Sequence, residues 1–163
     1  MMDRRNGGVD IEGVLVGRGE LAVVRDGARL VSVVGAGVAV CLWAEGRQVA
    51  AMAHFLEPRT GDAERSFARY GNVAVPEVVR LVRDEDPHGT IEAQIFGGAQ
   101  EYQGDLRGER NLDMAEMVLA KRRIEISSRD VGGTKGRKVV FDGKTGQVAV
   151  MKVHKLRKED WQA

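Results

Sequence analysis

Two valine-rich apolar runs with a short polar break between them constrain the fold of this chain most. The first covers residues 31–43 and the second residues 49–56, and the break reads Ala44-Glu45-Gly46-Arg47. β-branched residues favour strands, and a glycine-containing break of this length between two such runs predicts a hairpin. We therefore expect two neighbouring strands, with His54 near the end of the second and facing the glycine-rich start of the first.

The remaining pattern predicts more strands and two helices. Apolar residues at three- and four-residue intervals predict helices near 68–83 and 111–122. Arg25-Asp26-Gly27 is predicted to be a hairpin turn. Alternation and β-branched composition predict strands at about 14–24, 30–42, 48–56, 91–96, 124–126, 138–141 and 147–153. Strands with two covering helices indicate an α+β domain.

Composition limits the partners and the compartment. The 163 residues fit one domain, predicted to span 11–156 between a flexible segment at 1–10 and a charged tail at 157–163. With 25 basic and 24 acidic residues, the net charge of +1 attracts neither nucleic acid nor an anionic membrane. No apolar run approaches the roughly 20 residues that cross a bilayer, so membrane insertion is not expected. A single cysteine, Cys41, is typical of a reducing compartment, and we expect a cytoplasmic protein.

Metal and cofactor sites are not expected. The three histidines and Cys41 show no spacing that is typical of metal ligands. The glycine pairs fit neither a phosphate-binding loop nor a dinucleotide fingerprint, so they are interpreted as turns.

Several short motifs occur in a fixed order along the chain. They read Gly17-Arg18-Gly19-Glu20, Ala93-Gln94-Ile95-Phe96-Gly97-Gly98-Ala99, Gly108-Glu109-Arg110-Asn111, Asp130-Val131-Gly132-Gly133 with Arg137, and Thr145-Gly146. In this order they resemble the CheD family, the chemoreceptor glutamine deamidases of bacterial chemotaxis. The resemblance implies a layered α/β/β sandwich in which two main helices cover a mixed β-sheet. It also implies a methyl-accepting chemoreceptor as partner, and a CheC-type phosphatase as a second partner.

The same resemblance assigns catalytic positions, two of which have lost their side-chain chemistry. The family's cysteine nucleophile falls on Gly37, and its histidine, seventeen positions later, falls on His54. The family's threonine, six positions before the cysteine, falls on Val31. The resemblance places Gly37 beside the His54 ring, and it places turns and helix starts around the cleft at Gly35, Ala36, Gly97, Gly98, Arg110, Asn111, Gly132 and Gly133.

Three functions follow as hypotheses. The first is an impaired or inactive CheD-like protein that still binds chemoreceptors or a CheC-type phosphatase. The second is an active glutamine deamidase with a relocated nucleophile, which Cys41 or Ser32 would supply. Cys41 is expected to be a buried packing residue, and Ser32 is expected to face away from position 31 because adjacent strand residues point to opposite sides. The third is a structural role outside chemotaxis.

The first hypothesis carries a prediction about repair. Because members of a catalytic unit act together, Gly37→Cys and Val31→Thr are expected to be needed jointly to restore deamidation.

Overall fold

A computed structural model describes residues 13–62 and 67–153 of the chain. The predicted flexible segment at 1–10 and the charged tail at 157–163 lie outside these residues. The elements in chain order are β1 (Val14–Leu15), β2 (Glu20–Val24), β3 (Arg29–Val34), β4 (Val38–Ala44), β5 (Val49–Phe55), α1 (Gly71–Glu85), β6 (Ile91–Gly97), α2 (Arg107–Lys121), β7 (Glu125–Val131), β8 (Gly136–Asp142) and β9 (Val148–Val153).

The strands form two mixed sheets. The first sheet has the order β1-β3-β8-β9, and the second has the order β2-β5-β4-β6-β7. β1 runs parallel to β3 in the first sheet, and β6 runs parallel to β7 in the second, while the other pairs are antiparallel. The predicted hairpin of β4 and β5 is confirmed, with Ala39 opposite His54.

Alternation along the strands of the second sheet builds two apolar layers. Side chains such as Val40 and Phe55 pack against α1 and α2. Their neighbours, such as Cys41 and Met52, point the other way and pack against the first sheet. Successive strand residues face opposite sides, so a sheet buried on both faces reads as a nearly continuous apolar run. The α/β/β sandwich with two covering helices is thereby confirmed.

The predicted strand at 30–42 is wrong in one important respect. It is two strands, because β3 ends at Val34 and β4 begins at Val38. Residues 35–37 form a bend that carries the chain from the first sheet to the second. Alternation counted across this bend therefore does not report which side a residue faces.

The turn at Arg25-Asp26-Gly27 makes the same kind of crossing. Asp26 and Gly27 have positive φ values of 60° and 78°, which suits a tight turn. The strands on either side, β2 and β3, belong to different sheets. The prediction of a turn is confirmed, and the prediction of a hairpin is wrong.

Candidate functional site

The bend at 35–37 is held by all three of its carbonyl groups. Gly98 N–H donates to the Gly37 carbonyl at 2.8 Å, and Ala99 N–H donates to the Gly35 carbonyl at 3.0 Å. The Asn111 side-chain amide donates to the Ala36 carbonyl at 3.0 Å and to the Leu56 carbonyl at 2.9 Å. Asn111 is fully buried, so one side chain joins the bend to the end of β5. Position 37 is fixed relative to His54 by this network.

His54 points from β5 towards the first sheet, where it meets a serine. Ser32 Oγ lies 3.0 Å from His54 Nδ1 and donates its hydroxyl proton to the Val16 carbonyl at 2.6 Å. A serine hydroxyl has one proton, so towards His54 it accepts. This network assigns the neutral tautomer that carries its proton on Nδ1. With the proton on Nδ1, Nε2 carries the lone pair and has the character of a hydrogen-bond acceptor or base.

Ser32, and not Val31, therefore lies where an orienting hydroxyl is needed. Leu30 and Val34, which flank it along β3, pack between the two sheets, while Val31 lines a groove on the outer face of the first sheet. The resemblance assigned the orienting position to Val31 by its distance along the chain from position 37, and the structure does not place Val31 against His54. Val31 and Ser32 face opposite sides of β3, as expected, but Ser32 is the one that faces His54, so the prediction that Ser32 could not supply the hydroxyl is wrong.

Gly37 lies directly beside Nε2 of His54. A Cβ built on Gly37 would lie 3.0 Å from His54 Nε2, 2.7 Å from the Phe55 carbonyl oxygen and 3.2 Å from Leu56 Cδ2. The predicted proximity of Gly37 and His54 is confirmed. The surrounding atoms also crowd the space that a larger side chain at position 37 would occupy. The arrangement holds an oriented base whose neighbour has no group to deprotonate.

A cleft of about 240 Å³ opens above this pair. Gly35, Ala36 and Leu56 line it together with Gly37 and His54. Charged side chains from three other segments complete the wall: Arg18, Glu57, Arg69, Glu101 and Arg107. Apart from Arg18, which belongs to the Gly17-Arg18-Gly19-Glu20 motif, the sequence did not single out these residues, because alternation and helical spacing do not connect the segments that carry them.

Two ion pairs organise the charged wall. Arg69 contacts Glu57 at 3.4 Å, and Arg107 contacts Glu101 at 3.0 Å. Arg107 also binds Asp105, and this contact, with the backbone N–H groups that Asp105 accepts, lowers the pKa of Asp105 to about 2. Because Asp105 remains ionised at neutral pH, Arg107 is held at the mouth of the cleft.

The other residues predicted around the cleft divide into two groups. Gly97, Gly98, Gly132 and Gly133 all have positive φ values and stand behind the bend. Gly132 N–H donates to the Gly97 carbonyl at 2.9 Å, which ties their two loops together. Arg110 does not line the cleft, since it borders a neighbouring groove with Pro58.

Cys41 is buried between the sheets, as predicted. It pairs with Met52 of β5, two residues before His54. Burial raises the pKa of the Cys41 thiol strongly, so the thiol stays protonated at neutral pH. Neither Cys41 nor Ser32 lines the cleft.

Burial also controls the charge of His54. Desolvation, assisted by the positive charge of Arg18, lowers the pKa of His54 from 6.5 to about 4. The imidazole is therefore neutral at physiological pH, in agreement with its contact to Ser32. Within 13–62 and 67–153, no group of three His, Cys, Asp or Glu side chains is placed to hold a metal ion.

A family model described as CheD chemotactic sensory transduction matches residues 56–152, more than half of the chain. This chain belongs to the CheD family. The matched range begins two residues after His54, so the assignments at Gly37 and His54 rest on the motifs and the geometry above. None of the described helices is long and apolar enough to cross a membrane.

Curated CheD relatives cover most of the chain. A protein of Anaeromyxobacter dehalogenans is 42% identical over 129 residues, which are 76% of this chain and 74% of the relative. One of Sulfurimonas denitrificans is 32% identical over 130 residues, 76% of this chain and 83% of the relative. One of Methanococcus vannielii is 29% identical over 145 residues, 85% of this chain and 94% of the relative. All three are described as probable chemoreceptor glutamine deamidases.

A pH titration of stability tests the buried neutral state of His54. Below pH 6.5 the unfolded chain binds a proton at this histidine that the folded chain does not bind until about pH 4. Stability is therefore expected to fall between these values, by roughly 3 kcal/mol at 1.36 kcal/mol per pKa unit. Urea denaturation at several pH values should show this slope, and His54→Gln should flatten it. His88→Gln, at an exposed histidine, is the matched control, and an equal flattening there would contradict the assignment.

Proposed function

We propose that this CheD-family protein has lost deamidation and acts by binding, holding a glutamine-bearing segment of a chemoreceptor in the cleft above His54. The observation that carries the proposal is the absence of a side chain at Gly37, beside the Nε2 lone pair of an oriented histidine. Deamidation of a glutamine needs a nucleophile for the side-chain carbonyl, and the base alone cannot supply one. The relatives named above support the choice of chemoreceptor glutamine as the bound group.

The hydrogen-bonding state of the cleft favours an amide over a carboxylate. Neutral His54 presents Nε2 as an acceptor, and an amide –NH₂ group is a donor. A carboxylate has no proton to donate, so its oxygen lone pairs would repel the lone pair of His54 Nε2. The His54–Ser32 contact, which holds the ring in this orientation, therefore serves to recognise the bound amide even though no reaction follows.

Exposed apolar side chains near the cleft indicate a macromolecular partner. Tyr102 is 63% exposed and lies 6.0 Å from the Arg107 guanidinium, and Leu106 is 47% exposed at the start of α2. Phe67, two residues before Arg69 of the cleft wall, is 62% exposed. Such side chains on one rim are typical of a protein-binding surface. A CheC-type phosphatase is a second candidate for the same rim.

The relocated-nucleophile alternative has less support. The Cys41 thiol is buried and protonated, and the Ser32 hydroxyl is committed to Val16 and to the far nitrogen of the His54 ring. Each would need a large rearrangement to reach a group bound in the cleft.

Binding and turnover should be measured on the same receptor fragment. We expect wild type to release no ammonia above background and to bind the glutamine form about tenfold more tightly than the form with glutamate at that position, since unpaired polar groups are costly. His54→Phe, checked for folding by circular dichroism, should remove this preference. Ammonia release that Cys41→Ala abolishes would overturn the proposal. Failure to bind any chemoreceptor fragment or CheC-type protein would favour a role outside chemotaxis.

A further inference from the structure

A second groove lies next to the cleft along α2. It has a volume of about 340 Å³ and is lined by Pro58, Arg59, Arg110, Asp113, Met114 and Met117. Glu57 of the cleft precedes Pro58 directly, and Arg107 of the cleft lies one helical turn before Arg110. The groove is therefore a continuation of the cleft along the helix.

The groove changes character along its length. Arg110 lies towards the cleft and Met117 lies two turns further along α2, about 10 Å away at 1.5 Å per residue. Met117 is 38% exposed, and Met114 below it joins the apolar layer between the helices and the second sheet. Methionine side chains adapt their shape to different apolar partners. The far part of the groove offers an apolar floor.

The near part of the groove offers unused positive charge. Arg59 and Arg110 make no side-chain hydrogen bond or ion pair within the described part of the chain, unlike Arg69 and Arg107 of the cleft wall. Asp113 contributes one negative charge against these two cations. The charges that complement them are therefore acidic.

We infer that this groove binds an acidic amphipathic helix of a partner protein, packed along α2 with carboxylates on Arg59 and Arg110 and an apolar side chain on Met117. Amphipathic helices commonly bind in grooves of this kind. The side chains that enter the groove recur at intervals of three, four and seven residues along the bound helix. The inference rests on the proposed function only for the origin of the partner, since the groove and the cleft have different lining residues.

A glutamine-free helical peptide tests the groove apart from the cleft. The probe is an acidic amphipathic peptide of about 20 residues, long enough to form helix, with leucine on one face. Fluorescence anisotropy with wild type at about 0.05 M salt should show binding that weakens at about 0.3 M salt, because salt screens exposed charges. A matched peptide with lysine in place of each glutamate should not bind.

Variants locate the binding. Arg59→Glu with Arg110→Glu should weaken binding about tenfold or more, as expected for reversed charges that steer and hold a partner. Lys144→Glu, an exposed charge in the β8–β9 turn, is the control and should leave the affinity unchanged. Equal losses in the two proteins, equal binding of the basic peptide, or no binding of the acidic peptide at low salt would overturn the inference. Loss of glutamine preference with retained peptide binding would sink the cleft proposal alone.

Discussion

The single substitution Gly37→Cys is expected to convert this protein into a glutamine deamidase. The base and its orienting hydroxyl are already in place, since His54 Nε2 faces position 37 and Ser32 contacts Nδ1. A nucleophile beside a base that a third group orients is the general form of such a site. We expect ammonia release from a chemoreceptor fragment roughly 10²-fold or more above wild type, because loss of a nucleophile alone costs about 10⁶-fold in a serine protease.

Crowding at position 37 limits how much of this activity returns. The new Cβ would lie 2.7 Å from the Phe55 carbonyl oxygen, closer than a Cβ approaches a backbone atom in folded proteins, so the backbone has to shift. Misplacement by about 1 Å costs about 10²-fold in rate, so the restored enzyme should be slower than an intact deamidase. Gly37→Ala introduces the same Cβ without the thiol. The free energy of unfolding of Gly37→Ala therefore reports the cost of crowding alone, and the difference in ammonia release between the two variants reports the effect of the thiol.

Two further changes distinguish the structure from the expectation drawn from the sequence. Adding Ser32→Ala to Gly37→Cys should reduce ammonia release about 10- to 100-fold, because the imidazole loses its orientation. Adding Val31→Thr should change it little, since Val31 lines the outer groove of the first sheet. If ammonia release depends on Val31→Thr and is unchanged by Ser32→Ala, then position 31 orients His54, as the family resemblance implied.

The fold could be predicted from the sequence more completely than the site. Periodicity located both helices and the β4–β5 hairpin, because apolar spacing responds directly to which face of an element is buried. It could not locate the bend at 35–37, since Gly35-Ala36-Gly37 interrupts an apolar run without any charged or proline residue. Nor could the sequence show which of Val31 and Ser32 faces His54, because the resemblance fixed position 31 only by its distance along the chain from position 37. Adjacent strand residues do face opposite sides, but only the packing of the two sheets decides which side holds the site.

The charged wall of the cleft was beyond prediction for another reason. Arg18 and Arg69 lie in loops and Arg107 is the first residue of α2. They are far apart in sequence, and only the three-dimensional arrangement of the sheets and helices brings them together. A signal for Arg18 was present in the Gly17-Arg18-Gly19-Glu20 motif. The turn that this motif forms places Gly19 N–H on the His54 carbonyl at 2.8 Å, which holds Arg18 over the site.

Arg137→Met is expected to cause the largest loss of stability, about 1.5–3 kcal/mol, as for the loss of hydrogen bonds made by a buried charged group. The Arg137 side chain is 2% exposed and contacts Asp130 at 3.2 Å through two nitrogens. It also donates to the backbone carbonyls of Gly132, Lys135 and Gly97. Its removal takes several donors at once from Asp130 and from the Gly132 and Lys135 carbonyls, while Gly97 keeps the Gly132 N–H and Asp130 keeps Lys152 at 3.5 Å.

Arg129→Met is the matched control for this effect. Arg129 also pairs with a carboxylate, Glu116 at 2.7 Å, but about half of its side chain is exposed. Exposed pairs contribute about 0–1 kcal/mol, so urea denaturation should separate the two variants clearly. Equal losses would contradict the role assigned to the buried arginine.

Because the loops that Arg137 joins also hold Gly98 against the bend, Arg137→Met in the Gly37→Cys background should reduce deamidation even where the protein remains folded. Arg137→Lys, which keeps the charge but not the fork of donors, should recover only part of either property.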